Sequence, residues 1–373
     1  MLNLDRVLAT VVEADASDLI LKTGSQPAMK QTGRVLFLSE DAVTADDMRS
    51  TLERITYPEA LSRFKESGEA DFAYQSADWG RFRVNAFRQC GEVSVVMRQI
   101  KDVVPSFSEL HLPERQFTQF ANLERGLVFV TGITGSGKST SLAAIVDAVN
   151  NTRNKHVLTL EDPIEYRFSD NLSIIHQREV GVDTGSWVSG LRNAMREAPD
   201  VIMIGEIRDT ATMEAAIAAA ETGHLVLTTL HTVNAIQTVE RIMTFFPPHQ
   251  HDLVRLQLST VLEGVASQRL IPCVQTGRMV PAVEVLMATP RIREILRQGQ
   301  AQDLSAALEA GDEYYGTQTF NMSLKALYEG GLVTLDDACA ASDRADDLKL
   351  AIRGVVRGSD HRMIASGMSR SPR

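Results

Sequence analysis

The sequence predicts an α/β fold: a mostly parallel, wound sheet, preceded by an α+β unit and followed by helices. Three observations predict it. Short apolar runs at 127–131, 157–160, 201–204 and 225–230 lack polar alternation, the pattern of strands buried on both faces. Longer helical patterns separate these runs, as in sheets wound with crossover helices. A glycine-rich loop joins the first run to its helix.

Residues 2–14 place Leu4, Val7, Leu8, Val11 and Val12 at helical spacing. Residues 17–21 read as a short strand and 24–27 as a turn. Two helical stretches fill 44–66, split near Pro58. Residues 68–74, 80–87 and 93–100 alternate like antiparallel strands, so 1–100 forms one α+β domain. Pro105 and Pro113 mark 101–113 as a linker. The wound region then runs through a strand at 127–131, a helix from Lys138, strands at 157–160 and 174–176, a helix at 187–197, a strand at 201–204, a helix at 210–221, a strand at 225–230 and a helix at 235–245. Beyond 250 the pattern is mainly helical, with one strand-like stretch at 279–286. From about 354 the pattern fades into an expected disordered tail, and no internal repeat is found.

The bulk composition narrows the function classes. A chain of 373 residues suits two or three domains of about 150 residues each. Its 44% hydrophobic and 23% charged residues are ordinary for a globular protein. A net charge of −10 argues against a nucleic-acid machine, which carries a basic face. The three cysteines are far apart with no CxxC, so neither a zinc knuckle nor a disulfide framework is indicated, and a reducing cytoplasm fits best. The N-terminus has no signal-peptide pattern and no apolar run is long enough to span a bilayer, so membrane contact is expected only through a partner.

The sharpest motif is Gly132-Ile133-Thr134-Gly135-Ser136-Gly137-Lys138-Ser139, followed by Thr140; it fits G-x-x-x-x-G-K-[ST] at every fixed position. Glycines let the backbone wrap tightly with its N–H groups inward. Those donors and the positive end of the following helix hold phosphate oxygens. Lys138 supplies a point charge to the β- and γ-phosphates, and the Ser139 hydroxyl can ligate Mg²⁺. The bland alternative is a glycine turn that happens to precede a helix. Both flanks and the Lys-Ser pair argue against it. ATP and Mg²⁺ are therefore the expected ligands.

Carboxylates should act on that nucleotide. The run 201–204 ends in Gly205-Glu206, so Glu206 is the one acid at that strand end. A second cluster, Glu161, Asp162 and Glu165, follows the run 157–160. Strand ends in such sheets face the same crevice as the phosphate loop, so the two clusters can divide the ordering of Mg²⁺ and the polarising of water. The alternatives are solvated loop charges for Glu161, Asp162 and Glu165, and a surface ion pair for Glu206, which has Arg208 and Asp209 nearby. His224 and His231 flank the run 225–230, and either is a γ-phosphate contact or a structural histidine.

Four segments together, TGITGSGKST, LEDPIEY, APDVIMIGEIRD and ETGHLVLTTLHT, resemble the Walker A, Asp box, Walker B and His box of the secretion-type motor ATPases, and QREVGVDTGSW is also similar to them. The nearest branch is the PilT/PilU retraction ATPases of type IV pili. ASDLILKTGSQPAMKQTG and GRFRVNAFRQ resemble their PAS-like N-terminal domain, and GTQTFNMSLKAL with DDLKLAI their C-terminal helices. The resemblance covers about residues 1–353. It implies a PAS-like domain at 1–100, a hinge at 101–113 and a RecA-like ATPase domain with C-terminal helices at 114–353.

It further implies that Glu206 is the catalytic glutamate and a metal residue with Ser139, partly through water. Glu161, Asp162 and Glu165 would be the Asp-box acids. His231 and His224 would lie on the γ-phosphate side, and Arg81, Arg83 and Arg98 would meet the nucleotide as arginine fingers. The implied assembly is a homo-hexamer acting on an inner-membrane platform protein of the PilC type, with a PilT or PilU paralogue as a further partner and no nucleic acid. Two departures stand out: Ile133 replaces the common proline of the loop, and 289–297 matches the family's AIRNLIRE-like segment only loosely. A pilus-extension or secretion ATPase is the rival within the superfamily; it usually carries an extra N-terminal domain and a tetracysteine insertion, and this chain has neither. A RecA-like nucleic-acid translocase is disfavoured by the acidic balance and the lack of an aromatic-basic stripe. A non-catalytic nucleotide-binding subunit is disfavoured by the intact Lys138, Ser139, Glu165 and Glu206.

Overall fold

A computed structural model describes residues 2–31, 33–38, 41–310 and 315–354. The tail expected to be disordered lies outside the described residues from 355 onward. Its contacts divide the chain into two compact units, one of residues up to Val103 with Pro163–Phe168, the other of Val104–Asp162 with Ser169 onward.

The first unit runs α1 (Leu4–Glu13), β1 (Asp18–Lys22), β2 (Ala28–Gln31), β3 (Arg34–Phe37), α2 (Ala45–Ile55), α3 (Pro58–Ser67), β4 (Glu69–Ser76), β5 (Gly80–Gln89) and β6 (Glu92–Ile100). The strands form one antiparallel sheet in the order β3-β2-β1-β6-β5-β4. Alternation decides which face is buried: Phe82, Val84 and Ala86 of β5 point into the core while the residues between them stay partly exposed. Leu4, Val7, Leu8 and Val11 form the stripe by which α1 joins that core. Thr44 and Asp47 form a capping box at the start of α2, and Asp47 also accepts from the Leu2 N–H at 2.7 Å, tying two helix starts together. The hairpin of β2 and β3 was absent from the sequence reading. Every residue of β3 is exposed, so no core face imposes a period on it.

The second unit contains α4 (Glu114–Ala121), β7 (Gly126–Thr131), α5 (Lys138–Thr152), β8 (His156–Glu161), β9 (Ile174–Glu179), α6 (Trp187–Ala194), β10 (Val201–Ile204), α7 (Thr210–Glu221), β11 (Leu225–Leu230), α8 (Ala235–Thr244), α9 (His251–Val261), β12 (Leu262–Pro272), β13 (Met279–Met287), α10 (Pro290–Gln298), α11 (Asp303–Glu309), α12 (Phe320–Glu329), α13 (Leu335–Ala341) and α14 (Ala345–Ile352). The sheet order is β13-β12-β7-β11-β10-β8-β9, parallel throughout except for β13. Every residue of β7, β10 and β11 is buried, as their unbroken apolar runs require. Leu127, Phe129, Leu158, Leu160, Ile202 and Ile204 share one core, and the alternate set, Val128, Val130, Leu225 and Leu227, is equally buried.

Strand β12 corrects the expectation of a mainly helical chain beyond 250. Its polar residues Ser267 and Gln268 break the apolar pattern, yet they are buried and hydrogen-bonded: Thr131 Oγ1 donates to Ser267 Oγ at 2.9 Å and Gln268 Nε2 to Ser141 Oγ at 2.7 Å. Parallel register brings these strand ends to one edge, within two residues of one another. Thr131 pairs with Leu230, and Ile204 pairs with both Leu160 and Thr228.

Candidate nucleotide site

That edge carries the phosphate loop. Past Thr131 the chain turns at Gly132, where a Cβ would sit 2.3 Å from Ser136 Oγ and 2.6 Å from the Gln268 carbonyl, so only glycine fits. Gly135 and Gly137 adopt φ of 79° and 87°, the left-handed region that glycine enters freely. Gly137 is the N-cap of α5 and brings no side-chain cap, so backbone alone presents the positive end of the helix.

The donor set suits a polyphosphate. Lys138 is buried, and its ammonium is held over the loop, donating to the carbonyls of Gly132 at 2.9 Å and Ile133 at 3.0 Å. The Ser136 hydroxyl is buried at 2% exposure and has no partner within the protein, an orphaned group of the kind a phosphate oxygen satisfies. Thr134, Gly135 and Ser139 are exposed and Thr140 is half-buried. Among the described residues no group of three or more His, Cys, Asp or Glu could hold a metal ion.

Next along the edge, the Gly205 N–H donates to Leu160 O at 2.8 Å and brings Glu206 beside the end of β8. Both oxygens of the Glu206 carboxylate are engaged. Oε1 accepts from Arg208, and Oε2 lies 3.2 Å from His231 Nε2. Arg208 also stands 4.0 Å from Asp162. A chain of polar contacts, Asp162–Arg208–Glu206–His231, thus spans the carboxyl ends of β8, β10 and β11. Burial pushes the Glu206 carboxyl up, but the Arg208 hydrogen bond and charge, with His231, outweigh it and hold the group below its ordinary value.

Glu161 closes β8 and is buried, accepting from Thr159 Oγ1 at 2.6 Å and Gln177 Nε2 at 3.1 Å. Both partners belong to the sheet itself. His224 corrects an expectation. It precedes β11, and its carbonyl accepts from Gly126 at the start of β7. Six residues of strand, about 20 Å, separate it from the end where His231 lies. Its Nδ1 meets the Ala219 carbonyl at 3.0 Å, which makes it a structural histidine at the end of α7 rather than a companion of His231.

The remaining predicted residues lie in the other unit. Glu165 belongs to Pro163–Phe168, which joins the first unit through a bridge between Lys101 and Tyr166 and a hydrogen bond from Arg167 N to Lys101 O at 3.1 Å. There Glu165, Arg83, Arg98 and Lys101 line one hollow of about 230 Å³. Arg83 pairs directly with Arg98 across β5 and β6, and Arg81 shares their face two residues away. Acids hold two of these arginines: Arg98 Nε lies 2.8 Å from Asp18, and Arg83 lies 3.7 Å from Asp71. The acids of LEDPIEY are therefore divided, Glu161 and Asp162 in one unit and Glu165 in the other.

Sequence reasoning gave Arg208 no role beyond an ion pair. Its position two residues after the glutamate at a strand end was the available signal.

Comparison with known proteins fits this arrangement. Residues 66–312 match the family model described as Type II/IV secretion system protein. The chain is 40% identical to the type IV pilus ATPase PilU of Pseudomonas aeruginosa over 96% of its own length and 93% of that protein. It is 39% identical to the type IV pilus retraction ATPase PilT of the same organism, over 90% and 97%. A crystal structure of the pilus retraction motor PilT with bound ADP superposes with a TM-score of 0.87 at 39% identity, covering 94% of this chain and 99% of that one.

Proposed function

The chain belongs to the Type II/IV secretion system protein family, and from that premise we propose that it is an ATP-hydrolysing ring motor for type IV pilus retraction. The observation that carries the reading is the phosphate loop, with Lys138 over it and an orphaned Ser136 hydroxyl within it, on one sheet edge with Glu206 and His231.

In this reading the loop amides, Lys138 and the helix end bind the β- and γ-phosphates. The Ser139 hydroxyl and, through water, Glu206 would hold Mg²⁺, which would supply countercharge for the phosphates. Glu206 is ionised at neutral pH and accepts the proton of the attacking water. His231 holds the second carboxylate oxygen and reports the γ-phosphate side. Arg81, Arg83 and Arg98 offset transition-state charge as arginine fingers do, and Glu165 acts with them. Residues 101–113 serve as the hinge of the stroke. The motor is a homo-hexamer, working in the cytoplasm on an inner-membrane platform protein and with a PilT-like or PilU-like paralogue. No helix among the described residues is long and apolar enough to cross a membrane.

Gene deletion with complementation tests this. Cells lacking the gene are expected to keep pili and lose twitching, restored by the native gene and not by Lys138→Ala or Glu206→Ala. Bald cells would instead identify an extension motor, and unchanged motility of cells lacking every paralogue would end the retraction reading.

A further inference from the structure

His156 opens β8, and His176 lies on the neighbouring edge strand β9, where it pairs with Leu158 in the parallel register. Nε2 of His156 stands 2.9 Å from Nδ1 of His176, with the rings edge to face at 79°. His156 is anchored three times over. Its backbone N–H donates to Asp200 Oδ2 at 2.9 Å, its carbonyl accepts from Asp200 N at 2.8 Å, and its Nδ1 lies 3.2 Å from the Ala198 carbonyl. Ala198 adopts φ of 54°, a conformation alanine rarely enters, and it is this strained residue whose carbonyl meets the ring.

A carbonyl can only accept, so Nδ1 of His156 carries the proton, and Nε2 of the neutral ring turns its lone pair toward His176. A histidine that donates one ring N–H to a backbone carbonyl and keeps the other nitrogen bare is oriented as metal-ligating histidines are. His176 answers in one of two tautomers. With its proton on Nδ1 it donates to His156. With its proton on Nε2, two lone pairs face the same space, and a cation bound by both stabilises that state. The spacing fits such a cation set beside the line joining them, because two nitrogens bound at about 2.05 Å and meeting at about 90°, as in a square-planar site, are about 2.9 Å apart. Both rings reach solvent, which leaves an entry path. The Asp200 carboxylate beside them is balanced by Lys155, 3.4 Å away.

We propose that His156 and His176 form a two-ligand site for a borderline divalent cation of square-planar preference, Cu²⁺ or Ni²⁺, which pins the edge strand β9 to β8. With no third protein ligand in a cluster among the described residues, water completes the coordination. Imidazole nitrogens exclude Mg²⁺ and Ca²⁺, which require oxygen. The site shares no residue with the phosphate loop and stands whether or not the chain hydrolyses ATP.

The test uses untagged full-length protein titrated with Cu²⁺ alone, in a Cys90→Ser background because that thiol is exposed. One Cu²⁺ per chain is expected, with an electron paramagnetic resonance spectrum of two nitrogen ligands. His156→Asn and His176→Asn should each weaken binding by about tenfold or more, with the two-nitrogen signature lost. His176 is exposed, so its variant keeps the fold, and circular dichroism checks this. A two-nitrogen spectrum that survives His176→Asn, or no stoichiometric binding by the parent protein, would overturn the assignment.

Discussion

In the sheet built from β7 to β13, six strands run parallel, so their carboxyl ends fall on one edge and whatever follows each strand is delivered there. In the sheet built from β1 to β6, every strand reverses its neighbour, so the same construction cannot collect side chains at one edge and must present them across a face. The chemistry-bearing residues follow this difference. Thr131 and Leu230 end level, with Leu160 and Ile204 level with each other two residues before them, and the loop of Gly132–Lys138, Asp162, Glu206 and His231 follow these ends from segments distant in sequence. Arg81, Arg83 and Arg98 instead meet on the face of β5 and β6, through alternation and direct cross-strand pairing. Parallel burial costs side-chain variety, because both faces of each strand must be apolar; polar function is confined to the ends. The antiparallel sheet keeps one side of its strands free for charge.

The largest expected effect tests the edge. Glu206→Gln keeps the size and removes the charge, so kcat should fall by about 10²–10⁴-fold with ADP affinity little changed. A smaller and more selective effect separates the two ends of one strand. His231→Ala should lower kcat by about tenfold or more, whereas His224→Ala should leave it within about twofold, since its ring serves the end of α7. Steady-state hydrolysis by the pair of variants reads the contrast, and equal losses would break it. Arg208→Ala should lower kcat without raising the KM for ATP, because Arg208 touches the glutamate rather than the loop. Restoration by Arg208→Lys would show that charge, not the planar guanidinium, positions Glu206.

The antiparallel unit makes the smallest prediction, in stability alone. The Thr44 hydroxyl, followed by the N–H groups of Leu2 and Thr44, holds the Asp47 carboxyl at about 2, below its ordinary 3.8. A depressed carboxyl stabilises the fold above its ordinary value and loses that contribution as pH falls toward 2. Thr44→Ala should therefore cost about 1 kcal/mol at neutral pH and less near pH 2, with hydrolysis by the folded protein unchanged. Thermal melts across that range measure it.

Much of the parallel edge was legible in the sequence because each of its parts is local. A glycine-rich loop after an apolar run, an acid after another and a histidine after a third are patterns of a few residues, and the fold only has to set them on one edge. What escaped depended on longer range. Strand β12 hid behind Ser267 and Gln268, polar residues that are buried only because Thr131 and Ser141 meet them from elsewhere in the chain. The division of Glu161 and Asp162 from Glu165 across two units leaves no mark on a seven-residue motif. His224 and His231 look alike on either side of one strand, and only the direction of β11 shows that they stand about 20 Å apart. Arg208 was visible, but its contact with Glu206 depends on how the turn after β10 folds.

The most direct test of the central claim is binding and single-turnover hydrolysis of ATP by the assembled protein with Mg²⁺, compared with Lys138→Ala. A buried ammonium over a glycine loop predicts that the native protein binds and splits ATP and that the variant loses hydrolysis by about 10²-fold or more. Equal turnover by the two proteins would show that the triphosphate is not held where Gly132, Ser136 and Lys138 converge.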